Sequence, residues 1–315
     1  MASYNVITNT ANGCGLQRDA EIACERLEAL GHTARPVHFL HATGAERADC
    51  NLWLEVLQPY ELLDLAPCNL LVPNPEWWFA ERWNPLLPRI DGVLCKTRDA
   101  ETIFRGLVGE RACYTGWEAR DLYDPGVERR RAFIHVAGKS SAKGTAQVLQ
   151  AAAAAERKGY GWPPVTVVSY RHMRVPGTRW LSVISTEEMR QELNAHRFHL
   201  CPSLYEGYGH ALHEAQGVGA VVVTTDAPPM SEFGAPLQVR AKPERAMRLG
   251  RCWQVSATHA IEGRAEAEVS LLAAMERCWA AGEETLEAWG REARVRFEQD
   301  RAGFRKRFTE AVRIP

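Results

Sequence analysis

Residues 200–232 constrain the fold more than any other stretch: L-C-P-S-L-Y-E-G-Y-G-H-A-L-H-E-A-Q-G-V-G-A-V-V-V-T-T-D-A-P-P-M-S-E. The run 198–201 is apolar and stops at Pro202, as a buried strand does at its carboxyl end. A polar loop with Glu206, Gly207 and Gly209 follows. The pattern predicts a helix over about 210–218, closed by Gly219. Residues 220–224 are continuously apolar, as in a strand covered on both faces. Strand, glycine loop, helix, strand is the unit of a doubly wound α/β sheet, and ligands bind such sheets at the carboxyl ends of their strands.

Gly207 and Gly209 let the backbone approach a ligand closely. The helix start after them offers N–H groups and a positive dipole end, which suit phosphate. Glu206 and Glu214 flank that turn. Carboxylates touching a phosphate would repel it. They are better suited to accept hydrogen bonds from hydroxyls on either side, a ribose diol and a sugar. That combination describes a nucleotide-sugar.

The run P-S-L-Y-E-G-Y-G-H-A-L-H-E-A, with its acids in E-x7-E spacing, resembles the donor-binding signature of retaining glycosyltransferases of the GT-B fold, especially family 4. The resemblance implies an α/β chain with two Rossmann-like domains facing a cleft. By position, Glu206 would meet the donor sugar and Glu214 the ribose hydroxyls. The backbone of Gly207, Tyr208, Gly209, His210 and Ala211 would face the sugar and diphosphate.

The 315-residue length accommodates two domains. No apolar run reaches transmembrane length, and the N-terminus lacks the charged and apolar regions of a signal peptide. Nine cysteines without a C-x2-C pair indicate neither a zinc cage nor a disulfide framework. Reduced thiols and a cytoplasmic location are expected. Residues 1–125 carry 11 Lys+Arg against 18 Asp+Glu, so the first half is acidic and the second mildly basic.

The first half opens with a strand over 4–8, a helix over 16–30 and a strand over 33–39, a βαβ unit. Gly13 and Gly15 form a G-x-G, but Arg18 occupies the third glycine position and no acid closes the second strand, so NAD binding is not expected. In the resembling family this loop lines the cleft. Strands over 51–57 and 68–72 follow, and the second runs into P-N-P-E-W-W-F-A-E-R-W-N-P. Asn74, Trp77 and Trp78 are the acceptor-side candidates, because aromatic faces stack on sugars and bases. The other reading of these rings wedges a short helix onto the sheet. A strand over 91–95, a helix and a short strand over 112–114 complete this half. A hinge over 116–128 gives domains of 1–125 and 126–290, with 291–315 as a C-terminal helix that returns toward the first domain or caps its own.

The second half begins with a strand over 132–137 and the loop G-K-S-S-A-K-G-T. A Walker A loop would need glycine where Phe133 stands. The resembling family carries G-R/K-x3-K-G here, matched by Gly138, Lys139 and Lys143. Two ammonium groups and a helix N-terminus can neutralise a departing diphosphate without a metal. A helix over 143–157 and strands over 165–169 and 180–184 come next. Ser185 and Glu188 form a capping box that starts another helix. The family holds its nucleobase at this turn, which nominates Val183, Ile184 and Ser185. Arg171, Arg174 and Arg179 lie in a loop read as solvated in preference to anion-binding.

The expected activity is transfer of a sugar from a UDP- or GDP-sugar to an unidentified hydroxyl acceptor, with retention and with no cofactor or metal. The family commonly places a histidine beyond the strand ending at Val72, where this chain has Asn74 and Glu76. A cleft-facing Glu76 would act as a general base and open an inverting route. The acceptor is left open among a saccharide, a small molecule and modified DNA. The alternatives are a DNA glycosyltransferase acting on hydroxylated bases, against which the acidic first half counts, and a nucleotide-sugar epimerase of the same fold.

Overall fold

The computed structural model describes every residue except 12, 14, 41–44, 183, 259–269 and 314–315. Contacts divide the chain into two units. The first comprises Met1–Glu118, Ala246–Arg251 and Asp300–Pro315; the second comprises Ala119–Arg245 and Cys252–Gln299.

The first unit contains β1 (Ser3–Thr8), α1 (Gly15–Ala29), β2 (Thr33–His38), β3 (Cys50–Leu54), β4 (Cys68–Val72), α2 (Ala80–Trp83), β5 (Gly92–Cys95), α3 (Arg98–Val108) and β6 (Ala112–Tyr114). The sheet order is β2-β1-β3-β4-β5-β6, and every pairing is parallel. Its core gathers Ile7, Trp53, Leu71, Val93 and Phe104. Asn5, Asn51 and Asn69 stand opposite one another on β1, β3 and β4. Asn5 donates to Asn51 at 3.0 Å, and Asn51 donates to Asn69 at 2.9 Å. A one-residue slip would strand these buried amides, so the row pins the register.

The second unit contains β7 (Arg130–Gly138), α4 (Thr145–Arg157), β8 (Val165–Ser169), β9 (Thr178–Leu181), α5 (Thr186–Ala195), β10 (His196–Cys201), α6 (His210–Gly217), β11 (Val221–Asp226), α7 (Leu271–Ala280) and all of β12 (Leu237–Met247) and β13 (Gly250–Val255) except residues 246–251, which belong to the first. The sheet order is β13-β12-β11-β10-β7-β8-β9, with parallel pairing from β12 to β9. Val221, Val222 and Val223 are all buried, as expected for a central parallel strand. Buried Ala151, Ala152, Ala154 and Ala155 let α4 lie close on the sheet. The last helix, α8 (Glu283–Ala311), passes from the second unit into the first at residue 300. Phe297 caps Gly217 in the second unit, while Phe304 and Phe308 pack on Trp117 in the first.

Several boundaries differ from the sequence expectations for local reasons. The strand expected over 51–57 stops at Leu54, because Glu55 turns to φ +71. The helix expected from 143 begins at Thr145, because Gly144 is left-handed at φ +71. The strand expected over 180–184 is Thr178–Leu181. The pair β12 and β13, joined by two residues and therefore antiparallel, was not expected at all.

Candidate functional site

The order of strands across the second sheet reverses between β10 and β7: β11 and β12 extend from one side, β8 and β9 from the other. The loops leaving β7 and β10 are therefore neighbours at a topological switch point. Leu204 N–H donates to the Ala142 carbonyl at 2.7 Å and ties the two loops together. Gly144 is the closest approach. A Cβ there would lie 2.0 Å from the Pro202 carbonyl oxygen, so no side chain fits. Behind the loops, buried His135 bridges the Leu200 carbonyl at 2.8 Å and the Thr145 hydroxyl at 3.0 Å. Burial pushes its pKa down to about 4.

This scaffold brings Lys143 against Glu206. Lys143 Nζ donates to Glu206 Oε1 at 2.5 Å, and Ser203 Oγ donates to the same oxygen at 2.6 Å. Both bonds fall on Oε1. Glu214 is buried about one turn into α6. Burial pushes the Cys201 thiol up to about 12, with Lys143 opposing and Glu206 and Glu214 adding to the rise.

Gly209 caps α6 at φ +88, and His210 and Ala211 are the helix's first two residues. Their amides lie in the turn whose N–H groups have no intrahelical partner. Tyr208 is buried and stacks on His213 with centroids 3.9 Å apart, which fixes the glycine loop from beneath. Gly207 lies between that stack and Glu206 in the chain, half-buried.

Other nominated residues stand elsewhere. Lys139 is exposed just beyond Gly138, its ammonium 4.7 Å from the Tyr170 ring. Ser185 makes the capping box with Glu188, Ile184 packs on the apolar cluster around Leu193, and Val183 lies outside the described residues. Arg179 is paired with Glu192 at 2.7 Å, so its charge is already matched.

In the first unit Gly13 adopts φ +66 in the loop after β1, and Gly15 begins α1. The aromatic loop divides its roles. Trp78 is 0% exposed, its indole N–H donating to Asn84 at 2.8 Å and its ring edge-on to Trp83 and Phe104. The acceptor-side expectation for Trp78 is therefore corrected: with no open face it is a core residue that fastens α2 to the sheet. Trp77 is 42% exposed, and Arg248 donates to its carbonyl at 2.8 Å. Asn74 and Glu76 are buried at 7% and 5% exposure. Sequence reasoning did not single out His135, Ser203 or Glu55; the first two adjoin the motifs that were read, while Glu55 carried no local signal.

Among the described residues no group of three His, Cys, Asp or Glu side chains is arranged to hold a metal ion. No helix among them is long and apolar enough to cross a membrane.

Two parallel α/β sheets with helices, each with a switch point, define the GT-B class of fold, and solved structures of that class superpose on the chain. Sucrose-phosphate synthase from Thermosynechococcus elongatus matches with a TM-score of 0.71 at 11% identity, covering 98% of each chain. An α-glucosyltransferase solved with UDP and a DNA containing an HMU base matches with a TM-score of 0.64 at 11% identity, over 99% of both chains. The pneumococcal O-GlcNAc transferase GtfA, in complex with UDP and GlcNAc, matches at TM-score 0.60 and 11% identity over 83% of this chain, which spans 56% of that longer protein. No protein-family model matches the sequence, and no curated protein matches it by sequence.

Proposed function

We propose that the protein is a glycosyltransferase that moves a sugar from a nucleoside-diphosphate sugar to a hydroxyl acceptor, with retention and without a metal. The observation that carries this reading is the Lys143–Glu206 pair held over a glycine turn at the sheet's switch point. The chain's likeness to GtfA and to the α-glucosyltransferase, both solved with UDP, supports a uridine nucleotide in the donor.

Lys143, Lys139 and the α6 amides would meet the diphosphate, and Glu206 Oε2 a donor-sugar hydroxyl. Glu214 would take the ribose hydroxyls, and Ile184 and Ser185 would edge the base. In the retaining step the acceptor oxygen attacks the anomeric carbon from the face that the diphosphate leaves. The bond from that carbon to the diphosphate breaks, its electron pair stays on the phosphate oxygen, and the acceptor proton passes to it. Cationic and N–H groups aimed at that oxygen lower the barrier because charge develops there.

The test is thermal stabilisation by UDP-, GDP-, ADP- and dTDP-sugars, followed by transfer assays with the best donor. No shift with any donor would sink the reading.

One observation favours DNA as acceptor. Within the second unit β12 exposes Arg240, Lys242 and Arg245 against the single acid Glu244. Such a row suits a phosphate backbone, and one similar structure contains DNA. Under this reading a duplex-DNA gel shift weakens steeply as salt rises. A complex insensitive to salt, or none, removes it.

A further inference from the structure

The first sheet has its own switch point, between β1 and β3, where the order of strands reverses. Glu55 is the first residue past β3. Its φ of +71 lies in the left-handed region, which disfavours a residue with a long side chain. Its amide nevertheless donates to the Val72 carbonyl at 2.8 Å, so the strained residue is fixed rather than loose. Backbone strain of this kind concentrates at functional positions.

The side chain is placed as firmly. Asn74 Nδ2 donates to Glu55 Oε2 at 2.6 Å. Asn74 is 7% exposed, and its Oδ1 is buried with no hydrogen-bond partner. An orphaned buried acceptor is destabilising unless a ligand or water supplies a donor. Burial raises the Glu55 pKa; Asn74, Lys96 and Arg248 oppose the rise, and Asp19 adds to it. Lys96 is itself committed to Asp19 at 2.6 Å, both buried. The pair Glu55 and Asn74 thus offers two acceptor groups to a ligand at the carboxyl edge of a parallel sheet. Lys96 is balanced by Asp19 and the Arg248 guanidinium offsets the Glu55 carboxylate, so the site carries no net charge and hydroxyl donors are the matching chemistry.

We propose that Glu55 and Asn74 form the acceptor subsite of the first unit, where the Glu55 carboxylate and Asn74 Oδ1 take hydrogen bonds from hydroxyl groups of the acceptor. The inference rests on the glycosyl-transfer reading and adds to it the residues and class of the second substrate. It also moves the expected acceptor carboxylate from Glu76 to Glu55.

The experiment uses the full chain with UDP-glucose and three hydroxyl probes: glycerol, methyl α-glucopyranoside and duplex DNA carrying a hydroxymethylated pyrimidine. UDP binding is followed in parallel by thermal shift. Glu55→Gln and Asn74→Ala are each expected to keep the UDP-induced shift and to raise the apparent KM for the best probe at least tenfold. Glu55→Gln should melt no lower than wild type, because Gln removes a dehydrated charge, whereas Asn74→Ala should melt somewhat lower, because it takes away the amide that donates to Glu55. A KM within twofold of wild type in both variants overturns the inference. So does transfer to none of the probes by wild-type protein that still shifts with UDP. A wild type that does not bind UDP overturns the donor reading instead, and the two failures are told apart by that shift.

Discussion

Lys143 Nζ sits 2.5 Å from Glu206 Oε1, so the cation suited to a departing diphosphate already holds the acid suited to a sugar hydroxyl. The pair is half-buried and shares Glu206 with Ser203. Such preorganisation places both groups before substrate arrives, and little ordering entropy is left for the binding step.

Removing either partner should have different consequences. Lys143→Ala should weaken UDP binding by tenfold or more, since a charge-assisted hydrogen bond contributes about 1.5–3 kcal/mol. Glu206→Gln should bind UDP within threefold of wild type but lose about 10²–10³ in kcat. Calorimetric titration with UDP and initial rates measure the two effects. Unchanged UDP affinity in Lys143→Ala would remove the diphosphate role.

Gly144 should tolerate no side chain. A Cβ would lie 2.0 Å from a backbone oxygen and φ is +71, so Gly144→Ala is expected to cost about 3–5 kcal/mol. Gly138 is the control: φ is +58 but no atom lies within 4 Å of its Cβ. Gly138→Ala should cost only about 1–2 kcal/mol. Equal denaturation midpoints for the two variants would contradict the close approach of the loops.

The two adjacent tryptophans should separate stability from function. Trp78→Ala empties a core position and should cost about 3–5 kcal/mol in urea denaturation. Trp77→Ala should cost under about 1 kcal/mol. If Trp77 stacks on acceptor, that variant changes acceptor KM while UDP affinity holds. Similar losses of stability at both positions would refute the division.

Acid should unfold the protein through its histidines. Burial pushes His135 down to about 4 and His199 and His213 down to about 3, from an ordinary value of 6.5. Each is neutral when folded near pH 7 and gains a proton more readily once unfolded. The unfolded chain therefore binds more protons between pH 6.5 and 4, and stability falls as pH falls through that window. Each histidine contributes about 1.4 kcal/mol per pH unit there. Calorimetric Tm should be level above pH 7 and drop steadily from 6.5 to 4.5; a level Tm across that range would show that the rings are not held neutral.

Much of the second unit was legible because its signals are local. The strand, glycine loop and helix over 198–218 follow from apolar runs broken by Pro202, Gly207 and Gly209. The Ser185 capping box is a contact between residues three apart, and it is present as expected. Glu55 was silent because nothing beside it in the chain marks a strained backbone; only the pairing of β3 between β1 and β4 places it at a switch point. The hairpin of β12 and β13 was missed because its charged, mostly exposed strands lack the apolar alternation that marks a half-buried strand.

By itself the amino-acid sequence determined the parallel α/β character, the glycine turn and the acids and lysines around it, because period, capping and turn chemistry act over a few residues. The tertiary structure decided that Lys143 meets Glu206 across 63 positions, that Trp78 is core while Trp77 is surface, and that Glu55 meets Asn74. Those outcomes depend on which strands lie side by side. Strand order is set by the packing of the whole sheet and leaves no mark on neighbouring residues.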